Sequence, residues 1–141
     1  MSTNYVSPTE LYAYLRKKGI SSTHALGILA NVKAESNFDA GVQERGVTPG
    51  KGGFGLFQHT GPRRRALERY CRLHGKELHD WHAQVDFALT EISTDRYLAH
   101  MFGSAEAATR WWTIHWERPA NAKHQAERRV RYLDDLEKLI D

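Results

Sequence analysis

The sequence predicts an all-α fold with at most a minor β-hairpin, on three observations. Apolar residues recur at i, i+3 and i+4 spacing along most of the chain. The interruptions are single glycines and prolines rather than the alternating pattern of strands. One stretch, Asn37 to Gly53, loses periodicity altogether and gathers glycines. At 141 residues the chain suits one domain, 1–141, with a single core and no repeat or linker.

Ser7 caps the first predicted helix, Pro8 takes its first position and Glu10 completes a capping box; Leu11, Tyr14, Leu15 and Lys18 follow, and Gly19 stops it. A second helix runs from near Ser22 to about Ser36 with Ala25, Ile28, Leu29 and Val32 on one apolar face, which puts Glu35 in its last turn. After the Asn37 to Gly53 loop, with Gly41, Gly46, Pro49, Gly50, Gly52 and Gly53, helix is expected at Phe54 to Gln58. It breaks at Thr60-Gly61 and restarts with Pro62 toward the Gly75 stop. Further helices are expected from about Trp81, with Val85, Leu89 and Ile92 inward, around Tyr97 to Phe102, from about Ser104 to Trp116, and from about Ala122 to Leu139.

Composition narrows the function classes. The lone Cys71 makes no intrachain disulfide. No run approaches the roughly 20 apolar residues of a membrane span, and the polar Met1 to Glu10 segment lacks the apolar centre of a secretion signal. The expectation is a soluble protein made in the cytoplasm, without stable membrane insertion. A net charge of +3 gathers in Arg63, Arg64, Arg65, Arg69 and Arg72 and in Arg128, Arg129 and Arg131; such clusters suit polyanions, nucleic acid among them, or form a solvated face. Cys71, His74, His79 and His82 have a zinc-like spacing, but Cys71 falls on a core-facing position and Gly75 interrupts the helix, so no metal is expected. Trp111, Trp112 and Trp116 at helical spacing read as core, with at least one buried.

Chemistry concentrates in Lys33-Ala34-Glu35-Ser36-Asn37-Phe38 and, beyond the loop, Gly53-Phe54-Gly55-Leu56-Phe57-Gln58. Three further segments follow in order: Thr60-Gly61-Pro62-Arg63 with Ala66-Leu67, Gln84-Val85-Asp86-Phe87 with Glu91, and Trp116-Glu117-Arg118-Pro119. Together they resemble the phage tail lysozyme family, within the superfamily of goose-type lysozymes and lytic transglycosylases. The resemblance covers roughly Ser22 to Arg129. It implies a lysozyme-like fold in which a larger helical lobe holds the Glu35 helix and the glycine-rich loop forms the other wall of a groove. It also implies cleavage of peptidoglycan at the β-1,4 bond between N-acetylmuramic acid and N-acetylglucosamine, without cofactor, by a monomer. An enzyme made without a secretion signal reaches the wall through a membrane pore or on a virion.

Under that reading Glu35 is the general acid: an apolar helical face and the negative end of a helix dipole both disfavour its charged form. Glu44, nine residues on, is the candidate second catalytic residue, holding water on the far face of the sugar; Asp39 belongs to the turn after the helix. Gln58 offers an amide to an N-acetyl group or hydroxyl, and Gly53 and Gly55 allow close approach of backbone and sugar. Ser36 orients the acid or caps locally, while His59 stands where the family often has an aromatic. Phe38, Leu56 and Phe57 read as core, and Glu117 with Arg118 as a structural pair. Lytic transglycosylase, yielding anhydro-muramic ends, is the nearest alternative and needs only one acid. A non-catalytic wall-binding or nucleic-acid-binding virion component is the alternative from another class.

Overall fold

The computed structural model describes residues 4–48 and 50–140; Pro49, read above with the loop glycines, lies outside them. The fold is mostly helical, as expected of a lysozyme-like protein. The described helices are α1 (Pro8–Lys17), α2 (Ser22–Ser36), α3 (Gly61–Leu73), α4 (Trp81–Thr90), α5 (Ile92–Ala99), α6 (Ala105–Trp111), α7 (Ala122–Val130) and α8 (Leu133–Ile140), with a π-helix at Trp112–Glu117. β structure among the described residues is limited to the isolated bridges Tyr5 to Asp39, Gln43 to Phe54 and Phe54 to His59. Contacts divide the chain into two units, one of residues 1–6 and 35–91, the other of residues 7–34 and 92–141.

In the second unit α1 begins as its sequence predicts, with Ser7 Oγ accepting from Glu10 N at 3.0 Å. The part of α2 in this unit is buried on nearly every side from His24 to Val32, not on a single apolar stripe. Burial on all sides obliges its polar residues to find partners. Asn31 does so: its amide donates to Gly27 O and Thr109 O, and its oxygen accepts from Arg129 at 2.8 Å and lies 2.9 Å from the Thr113 hydroxyl. Gly27 permits the close approach of α6 and α5, since a Cβ there would lie 2.5 Å from the Tyr97 hydroxyl and 3.0 Å from Ala108.

Three expected helices in this unit differ in detail. The Ser104 to Trp116 helix stops being α-helical at Trp112, where a π-turn stacks Trp112 on Trp116 with ring centres 4.4 Å apart. Both rings are buried, and their indole N–H groups donate to Glu117 and Thr94. Glu117 is therefore held by Trp112, while Arg118 is exposed at the left-handed residue that ends the element. The expected Ala122 to Leu139 helix is two helices, because backbone pairing shifts to a tight turn at Tyr132 N to Arg129 O. The helix expected around Tyr97 to Phe102 is α5 and starts earlier, at Ile92, which is exposed rather than inward because α4 ends before it with Glu91 in extended backbone.

In the first unit α3 and α4 close a small core of Leu67, Cys71, Ala83 and Phe87, to which Tyr70 and Leu78 add. Burial raises the Cys71 thiol above its ordinary range, consistent with its core-facing expectation. Phe54 to Gln58 is not helical. It is a turn in which Gly55 has φ +81° and Gln58 φ +52°, with Gln58 N donating to Gly55 O. Left-handed residues at that spacing cannot continue an α-helix.

Candidate active site

The site residues named from sequence all fall in the first unit. Glu35 is half-buried in the last turn of α2. The helix ends there abruptly because Asn37 and Phe38 both adopt positive φ, at 50° and 65°. A phenylalanine in that region is strained, and the surroundings hold it: its ring is buried and its carbonyl accepts from Val6 N at 2.9 Å. Asp39 serves the same turn, accepting from Gly41 N at 2.9 Å.

One hydrogen bond joins the two halves of the sequence motif. Ser36 Oγ, directly after Glu35, donates to Leu56 O at 2.9 Å across twenty residues of chain. Leu56 N in turn donates to Gln84 Oε1 at 2.9 Å, and Gln84 Nε2 donates to Ala40 O and Leu78 O, both at 2.8 Å. Gln84, completely buried on α4, thereby ties the post-helix turn, the 54–59 turn and the approach to α4 into one piece. Gly55 is required beside it, because a Cβ would meet the Gln84 amide at 2.6 Å.

The loop carrying Glu44 is held by a second polar cluster. Glu44 pairs with Gly53 through its backbone and through its carboxylate, whose Oε1 accepts from Gly53 N at 2.8 Å. The carboxylate belongs to an exposed residue. Arg64, from α3, lies under the loop with Nη1 within hydrogen-bond distance of Gln43 Oε1, Lys51 O and Gly52 O, its guanidinium over the Phe54 ring. Gln43 Nε2 also donates to Lys51 O.

Gln58 spends both amide hydrogens inside the turn, on Val42 O at 3.2 Å and Gly55 O at 3.0 Å. Its Oε1 packs against Gly53, where a Cβ would come within 2.5 Å. Both amide hydrogens of the side chain are thus committed within the protein.

Three of the residues expected to touch substrate are buried and engaged in bonds within the protein. Ser36 and Gly55 are buried and committed to the bonds above. His59 has a side chain with no exposure, and its Nε2 lies 2.9 Å from Glu91 Oε1. Arg63 completes a bidentate pair with Glu91 at 2.8 and 3.1 Å. Burial lowers the His59 pKa, and the opposing hydrogen bond to Glu91 does not reverse it. Burial pushes the Glu91 carboxyl up, but hydrogen bonds from His59 and Arg63 outweigh that and hold it below the ordinary carboxylate range. An ionised carboxylate only accepts, so the neutral imidazole carries its proton on Nε2 and donates. The arginine clusters are likewise less free than their sequence implies: Arg63 is paired, and Arg64 and Arg129 are buried.

Sequence reasoning passed over Gln84, Arg64 and Gln43 as site-building residues. The available signal for Gln84 was a polar residue between the apolar Ala83 and Val85, one turn before Ala88 on the same helix face, where burial obliges it to be satisfied.

The phage tail lysozyme family model matches residues 8–132 of the chain. The chain belongs to the phage tail lysozyme family. Membership places it among lysozyme-like proteins that act on peptidoglycan and the bacterial cell wall. A search of curated proteins finds no match to the chain. No described helix of the chain is long and apolar enough to cross a membrane. Of the histidines in the zinc-like spacing, His74 has its Nδ1 2.8 Å from Tyr70 O, and His82 stacks on Trp81.

Proposed function

We propose that this protein is a muramidase that cleaves the β-1,4 bond between N-acetylmuramic acid and N-acetylglucosamine, with Glu35 as general acid. The observation that carries the reading is the Ser36 to Leu56 hydrogen bond. It fixes the end of the acid's helix to the turn bearing Gln58, so that acid and amide belong to one rigid construction rather than to two loops.

Glycoside cleavage needs a proton on the leaving oxygen and stabilisation of an oxocarbenium-like transition state. Glu35, half-buried and followed by a strained turn, donates the proton. Glu44, exposed on a pinned loop, is the candidate base for the attacking water. Gln58 accepts through Oε1 from a sugar hydroxyl or the N–H of an N-acetyl group. Gram-negative peptidoglycan treated with the wild type and with Glu44→Gln, followed by mass spectrometry of the muropeptides, tests this mechanism. Reducing muramic ends from the wild type and their loss in Glu44→Gln are expected. Anhydro-muramic ends, undiminished in the variant, would assign the chemistry to a lytic transglycosylase that works with Glu35 alone.

A further inference from the structure

Arg64 stands where a guanidinium is costly to place. Its side chain is 7% exposed, and a cation taken out of water is retained only against partners that compensate its lost hydration. Glu68 Oε2, the carboxylate oxygen paired with it, is 3.5 Å from Nε. The shorter contacts run to neutral oxygens of the Glu44 loop: Nη1 shares its two hydrogens among Gln43 Oε1 at 2.9 Å, Lys51 O at 2.9 Å and Gly52 O at 3.1 Å. The last of these reaches further than the loop. The Gly52 carbonyl belongs to the same peptide unit as the Gly53 N–H, and that N–H donates to Glu44 Oε1 at 2.8 Å.

A peptide unit is planar, so holding its oxygen limits the direction in which its N–H points. The permanent charge of Arg64 also polarises the carbonyl and strengthens the N–H as a donor. Gly52 adds a second constraint on the same carboxylate. At φ +72° a Cβ there would lie 2.9 Å from Glu44 Oε1 and 2.6 Å from Val47 Cγ2, so glycine lets the carboxylate lie close against the peptide. Glu44 N, donating to Gly53 O at 2.8 Å, fixes the backbone register of the pair. An exposed glutamate is ordinarily free to change rotamer, whereas here Oε1 is anchored and Oε2 is left to meet a water.

We propose that Arg64 is a positioning residue for the reaction: acting through the Gly52–Gly53 peptide, it holds the Glu44 carboxylate where that group takes the proton of the attacking water. The proposal rests on the reading of Glu44 as the base. In that step the water oxygen bonds to the anomeric carbon and its proton passes to Glu44; the bond from that carbon to the leaving oxygen breaks, and Glu35 supplies the proton to the oxygen. Arg64 takes no part in either proton transfer.

A double-mutant cycle on muropeptide release from purified Gram-negative peptidoglycan tests it, with the wild type, Glu44→Gln, Arg64→Lys and the two combined. Glu44→Gln removes the base and keeps an acceptor for the Gly53 N–H; Arg64→Lys keeps the charge and loses the planar fork. Arg64→Lys is expected to lower kcat about 10–100-fold at an unchanged half-saturating concentration. In the Glu44→Gln background it is expected to cost nothing more, because no base remains to be positioned. Gly52→Ala leaves Arg64 in place and displaces the carboxylate from the half-buried turn, and it is expected to lower kcat in the same way, which decides the matter should Arg64→Lys fail to fold. Loss of activity in Glu44→Gln with kcat unchanged in Arg64→Lys or in Gly52→Ala, or losses that multiply in the double variant, would overturn the positioning role and leave the base standing. A fully active Glu44→Gln would remove the base and the proposal with it.

Discussion

Ser36 shows how a single hydroxyl organises the site. Replacing it with alanine removes the bond to Leu56 O and leaves a buried carbonyl short of a donor, at a cost of about 1–3 kcal/mol. The expected outcome for Ser36→Ala is a lower midpoint in denaturant at unchanged slope, with kcat reduced more than substrate affinity because the acid's position loosens. His59 and Glu91 give a second residue-scale prediction. Both have pKa values lowered by folding, so the unfolded chain binds more protons and stability is present above the unfolded values and lost as pH falls. Melting temperature should therefore decline as pH drops below about 6.5 for the histidine contribution and again below about 4.5 for the carboxylate, values typical of the unfolded groups. In His59→Gln the first decline should shrink; an unchanged profile there would show that His59 is not buried neutral.

Among the elements, α4 matters to the site through one residue. Gln84→Ala loses three hydrogen bonds that join separate segments, and at about 1 kcal/mol each the variant should be destabilised by about 3 kcal/mol, measured by chemical denaturation. The helices themselves were largely legible: α1 from its capping box, α2 from its periodicity and α3 from Pro62 and Gly75. What was not legible has two causes. The 54–59 turn and the π-turn at Trp112 are held by partners distant in sequence, Gln84 and Thr94, while the division of α7 from α8 is a local turn from Tyr132 N to Arg129 O with no glycine or proline to mark it. At the site, Glu35 and Gln58 were visible as a motif, but the spent amide of Gln58 and the burial of His59 depend on Val42 and Glu91, which the motif does not contain.

On the scale of the whole molecule, each unit is built around a buried polar residue that gathers distant backbone: Gln84 in the first and Asn31 in the second. Asn31→Ala would strip Arg129 of a buried acceptor, and a loss of about 3–5 kcal/mol is expected, read as a large fall in melting temperature. The same burial changes how the positive charge is understood. With Arg64 clipping the Glu44 loop and Arg129 held on Asn31, the sequence clusters are partly internal scaffolding, and neutralising Arg64 should loosen the loop before it alters binding to any polyanion. The central claim remains the acid. Release of soluble muropeptides from purified Gram-negative peptidoglycan, followed for wild type and for Glu35→Gln, tests it most directly. The account predicts release by the wild type and a loss of at least about 100-fold in the variant, at an unchanged circular dichroism spectrum. A folded Glu35→Gln protein as active as the wild type would contradict it.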